Sequence, residues 1–115
     1  MKTNKVKTFN ALNGRFLNTE TNRIDEEYLN HELSLLINND RTLYLEAKNN
    51  RRIRPHSIAW RALTLAANQT IDGYWGAEEW YASSQQLKKW LQEYGRGYDS
   101  IAETVAEVVA LREED

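Results

Sequence analysis

Residues 55–68, PHSIAWRALTLAAN, constrain the fold more than any other stretch of the chain. Ile58, Ala59, Trp60, Ala62, Leu63, Leu65, Ala66 and Ala67 would make a helix there apolar nearly all round. A helix with no polar face must be covered on every side, so it belongs at the centre of a helical domain. Pro55 suits its first turn, where the missing N–H would have no intrahelical partner anyway.

The flanking segments supply the cover. Asp25 is a good N-cap, and Glu26 and Glu27 complement the positive end of a helix. Leu29, Leu33, Leu36 and Ile37 then recur at helical spacing. Asn38-Asn39-Asp40 breaks the pattern, and Asp40 can cap a second helix from Arg41 to about Asn49, with Leu43, Tyr44 and Ala47 inward. Residues 70–76, TIDGYWG, read as a break after the central helix. A fourth helix is expected over 77–94, with Trp80, Ser84, Leu87, Trp90, Leu91 and Tyr94 on its inner side. After Gly95-Arg96-Gly97, Asp99 or Ser100 can cap a fifth helix with a stripe of Ile101, Val105, Val108 and Val109. Near the N-terminus, Asn13-Gly14 separates two short apolar clusters and suits a type I′ hairpin turn. The fold class expected is mainly α: a compact bundle of about five helices, with a short N-terminal β-hairpin.

The 115 residues suit one domain, with a hairpin or extended arm over 1–22, a helical body over 25–111 and a frayed tail over 112–115. There is no cysteine, which excludes disulfides, thiolate metal sites and thiol catalysis and fits a reducing, cytoplasmic setting. The N-terminus is basic but lacks the apolar run of a signal peptide. No segment approaches a membrane span. Asn68-Gln69-Thr70 matches a glycosylation acceptor but lacks a secretory context.

The net charge of −2 hides an alternation. Residues 1–18 carry +4, 19–47 carry −5, 48–61 carry +5 and 62–115 carry −6. The basic stretch KNNRRIRPHSIAWR has three readings. Arg51, Arg52, Arg54 and Arg61 could clamp phosphates at a helix start, bind an acidic protein partner, or pair with the chain's own acids, for instance those of 25–32. The central helix is too apolar to lie in a DNA groove, and the flanking acidic blocks would repel nucleic acid.

Signals for chemistry are sparse. His31-Glu32 opens like a zinc motif, but position 35 is leucine. Two histidines twenty-five positions apart, without cysteine, make a weak case for a metal site. The carboxylates Asp25, Glu26, Glu27, Glu32, Glu46, Glu78 and Glu79 suit capping or solvated faces. No serine sits in a nucleophile elbow, and Gly95-Arg96-Gly97 lacks a third glycine and a preceding strand. No catalytic residue, cofactor or metal is expected. Tyr74, Trp75, Trp80 and Tyr81 cluster within eight residues around a Gly-bounded break. Aromatic residues of this kind are common at binding hot spots, and Tyr74 and Trp75 join the four arginines as candidate partner-binding residues.

Residues 28–47, YLNHELSLLINNDRTLYLEA, resemble a motif of small uncharacterised proteins from bacteriophages and mobile elements. The matching positions are Tyr28, Leu35, Ile37, Asn38, Asn39, Asp40, Leu43, Tyr44 and Ala47. Asn30 and His31 stand where threonine and tryptophan are usual. The resemblance implies a phage or mobile-element origin and brings no activity or site residues. The expectation is a non-enzymatic protein-binding module that modulates a host protein or nucleoprotein, with inhibitors of host defence as the class. The alternative is a nucleic-acid-binding module using 48–61 and the basic N-terminus. A homodimer through the acidic fifth helix or the aromatic loop stays open.

Overall fold

The computed structural model describes residues 12–72 and 84–114, with residues 68–72 described as backbone. It is mainly α with a two-stranded hairpin. In chain order, a helical segment at 12–16 leads into β1 (Leu17–Asn18) and β2 (Arg23–Ile24). The long helices are α1 (Glu26–Asn39), α2 (Arg41–Asn49), α3 (Pro55–Asp72), α4 (Ser84–Tyr94) and α5 (Ala102–Glu113). A 3₁₀ turn, Gly97–Ile101, joins α4 to α5.

The central position of α3 follows from its composition. Ile58, Ala59, Ala62, Leu63, Ala66 and Ala67 are all buried, and α1, α2 and α5 pack against it. Alanines at these positions let neighbouring backbones come close without leaving voids. The helix runs through Asp72, so 70–72 continue the helix instead of breaking it. The rest of the expected break, and residues 77–83 of the expected fourth helix, lie outside the described residues.

Asp40 ends one helix and starts the next. Its N–H donates to the Leu36 carbonyl at 2.9 Å, and its carboxylate accepts from the Leu43 N–H at 2.9 Å. Asp25 caps α1 in the same way, accepting from the Tyr28 N–H at 3.1 Å. Both corners follow from an aspartate with extended backbone at the cap position.

The hairpin sits later than the sequence suggests. Leu17 pairs with Ile24 and Asn18 with Arg23. Asn22 takes a left-handed φ of 57°, a conformation asparagine tolerates better than most residues. The Asn18 side chain accepts from the N–H groups of Glu20 and Thr21 within the turn. Asn13-Gly14 is helical instead of forming the turn. The cause is the i, i+4 spacing of Leu12 and Phe16. One helical turn puts both on the core face, where each is fully buried.

The buried face of α5 also differs from the valine stripe. Ile101, Thr104, Val108 and Arg112 point inward, while Val105 is half-buried and Val109 is 39% exposed. The two polar members are satisfied by other helices. Asn30 of α1, itself buried, donates to the carbonyls of Glu26 (2.7 Å) and Ser100 (2.8 Å). Its carbonyl oxygen accepts from the Thr104 N–H (3.0 Å) and the Thr104 hydroxyl (2.6 Å). The N-cap position of α5, Ile101, has no capping side chain of its own, so Asn30 supplies the cap from another helix.

Ser100 does not cap α5. Its hydroxyl accepts from the Arg96 N–H at 2.8 Å and donates to Glu26 at 3.2 Å. Glu26 takes two hydrogen bonds from the Arg96 guanidinium, at 2.5 and 3.0 Å. Gly95 is required there, since a Cβ would lie 2.5 Å from the Ser100 hydroxyl and 2.7 Å from the Ile24 side chain.

Replacing Asn30 with alanine takes the partner from the buried Thr104 N–H and hydroxyl and from the Ser100 carbonyl, and should lower stability by about 2–4 kcal/mol in urea unfolding. Gly95→Ala should cost about 1–3 kcal/mol through overpacking at the same corner.

Candidate functional site

The basic stretch after α2 divides into two sets. Asn50 fixes the corner: its carbonyl accepts from the Ile53 N–H at 3.1 Å and its side chain from the Arg52 N–H at 3.2 Å. The Arg54 carbonyl accepts from the N–H groups of Ser57 and Ile58, which starts α3. The arginines are therefore carried on a hydrogen-bonded turn.

One set is structural. The C-terminal ends of α2 and α5 meet, so two negative helix ends and their unpaired carbonyls share one corner. Arg112 of α5 is buried and donates to the α2 carbonyls of Glu46 (3.3 Å) and Ala47 (2.6 Å) and to Asn50 (2.9 Å). In return, Arg51 donates to the Arg112 carbonyl at 2.8 Å and Lys48 to the Leu111 carbonyl at 3.4 Å. Lys48 also lies 3.9 Å from Glu114. Each helix thus has its C-terminal end capped by cations from the other. The expected frayed tail does not hold at Arg112, because its guanidinium is tied to three carbonyls. Arg61 forms an ion pair with Glu46. The acids of 25–32 pair elsewhere, Glu26 with Arg96 and Glu32 with Arg15.

The other set is Arg52 and Arg54. Both are exposed, and neither side chain has a hydrogen-bond or ion-pair partner among the described residues. Tyr74 and Trp75 lie outside the described residues.

Beside Arg54, the first turns of α3 carry an aromatic cluster that sequence reading did not single out. His56 and Trp60, one turn apart, are near parallel at 17° with centroids 6.2 Å apart. The Tyr98 ring, from the 3₁₀ turn, stands edge-on to both, 4.8 Å from His56 and 5.3 Å from Trp60. Tyr98 is 43% exposed. The i, i+4 spacing of His56 and Trp60 is legible in the sequence; the arrival of Tyr98 is a product of the fold. Together with Ser57 and Arg61 these rings line an open cleft of about 350 Å³.

The second histidine lies elsewhere. His31 lines an open cleft of about 420 Å³ between α1 and α5, with Glu27, Glu103 and Glu107 and with Leu35 exposed beside them. No three acidic or imidazole groups among the described residues come together as a metal site. Among the described residues, no helix is long and apolar enough to cross a membrane. Comparison with protein-family models, with curated proteins and with solved structures gives no match.

The Arg96 hydrogen bonds are the main reason the Glu26 carboxyl titrates below the usual glutamate range; partial burial opposes them and the Ser100 hydroxyl adds to them. A lowered folded value favours the folded state above the usual range. That contribution disappears as pH falls through and below it. Stability should therefore drop on acidification from pH 5 to pH 3, estimated from the ordinary glutamate pKa of about 4.3, and the drop should be shallower in Glu26→Gln. Arg112→Met removes all three of these bonds, leaves the Ala47 carbonyl without its side-chain donor and takes the cation from the helix end, and should cost about 2–4 kcal/mol by urea unfolding.

Proposed function

We propose that the protein is a non-enzymatic binding module whose partner is another protein. Its docking face is the corner made by the α2–α3 turn, the first turns of α3 and the 3₁₀ turn. The observation that carries this reading is the ring cluster of His56, Trp60 and Tyr98, with the exposed Arg52 and Arg54 on the turn that leads into it. Aromatic rings and arginines supply most of the energy at protein interfaces, and arginines without internal partners have charge to offer.

A protein partner fits this corner better than nucleic acid. Nucleic-acid affinity depends on several phosphate contacts made at once. Here Lys48 and Arg51 are held by helix-end carbonyls and Arg61 by Glu46, which leaves Arg52 and Arg54 as the cations of this stretch without a partner among the described residues. The resemblance of 28–47 to phage and mobile-element proteins supports a host protein or nucleoprotein as the source of the partner, with inhibition of host defence as the class of effect.

A photo-crosslinking residue placed at Tyr98 should give one discrete protein adduct in bacterial cells. The same residue at Gln92 should not, and Arg52→Glu/Arg54→Glu should remove the Tyr98 adduct. Equal labelling from both positions, or a Tyr98 adduct insensitive to the charge reversal, would contradict the reading.

A further inference from the structure

The cleft over the start of α3 has a specific chemical character. One wall is aromatic, from His56, Trp60 and Tyr98. Ser57 and Arg61 complete the lining. Arg61 is about half exposed, and one terminal nitrogen of its guanidinium pairs with Glu46. Arg54, two residues before His56, adds a second exposed guanidinium with no partner among the described residues. None of the described residues lining the cleft is acidic.

Resting on the protein-binding reading above, we infer that this cleft takes one aromatic side chain of an acidic partner segment, with a neighbouring carboxylate on Arg54. The size agrees: about 350 Å³ is at the small end of ligand pockets, room for one anchor side chain and not for a folded surface. The geometry agrees as well. Two near-parallel rings one helical turn apart, with a third edge-on and 43% exposed, form an aromatic surface of the kind on which a further ring packs offset or edge-to-face. The charge agrees because guanidinium groups accept carboxylates in a paired geometry that fixes the direction of the segment.

The cleft between α1 and α5 has the opposite character. Glu27, Glu103 and Glu107 line it, so an acidic segment would be repelled there. The two clefts therefore give the molecule a built-in orientation test for any charged partner.

The experiment is fluorescence anisotropy with labelled synthetic peptides and the intact chain. One peptide carries a phenylalanine flanked by glutamates. A second replaces the phenylalanine with serine, and a third replaces the glutamates with lysines. A single-stranded oligothymidylate is the fourth probe. The first peptide should bind, and the serine and lysine peptides and the oligothymidylate should each bind at least about tenfold more weakly. Tyr98→Ala and Arg54→Glu should each weaken the first peptide by about tenfold, with unchanged far-UV circular dichroism. Leu35→Ala, in the other cleft, should leave it unchanged. No binding of the first peptide, indifference to the phenylalanine, or equal binding of the oligothymidylate overturns the inference. If the peptide fails while the Tyr98 crosslink to a protein persists, the protein-binding reading stands and this assignment of its occupant falls.

Discussion

A buried guanidinium holds the C-terminal ends of α2 and α5 side by side. Bringing two helix C-termini together costs free energy, because each exposes unpaired carbonyls and a partial negative charge. Arg112 answers that cost for α2, and Arg51 and Lys48 answer it for α5. The bonds of Arg112 and Arg51 all go to carbonyls. The counter-charge is the backbone itself, which explains how Arg112 is buried with no ion pair to an acid among the described residues.

The same helix is fastened at its other end by Asn30, which meets all four of its hydrogen-bonding capacities inside the protein. With α5 tied at both ends by polar groups from α1 and α2, the positions of its neighbours are fixed too. Its N-terminal tie brings the 3₁₀ turn, and so Tyr98, to a set place. Its C-terminal tie sets the turn that carries Arg52 and Arg54. The corner proposed for docking is therefore held in place by contacts that lie away from it.

Much of the fold was legible in the chain. The all-apolar run of α3, the aspartate caps at 25 and 40 and the proline at 55 each dictate an element locally, and each appears where expected. What could not be read was decided by distance in sequence. Leu12 and Phe16 choose helix over hairpin because the core is there to receive them. Thr104 and Arg112 turn inward because Asn30 and the α2 carbonyls lie far upstream. For the basic stretch, the sequence offers only acids as visible partners. Helix-end carbonyls are acceptors that every chain has and no residue letter shows. The site was half legible for the same reason: His56 and Trp60 share a face by spacing, whereas Tyr98 joins them only through the fold.

The central claim is that the arginines after α2 belong to two classes, one holding helix ends and one left for a partner. Urea unfolding of Arg51→Ala beside Arg52→Ala/Arg54→Ala tests it directly. Loss of the Arg51 bond to the α5 end should lower stability by about 1–2 kcal/mol, while the double substitution should stay within about 0.5 kcal/mol of the parent. Equal losses in both, or a larger loss from the double substitution, would show that Arg52 and Arg54 are part of the scaffold and would contradict the account.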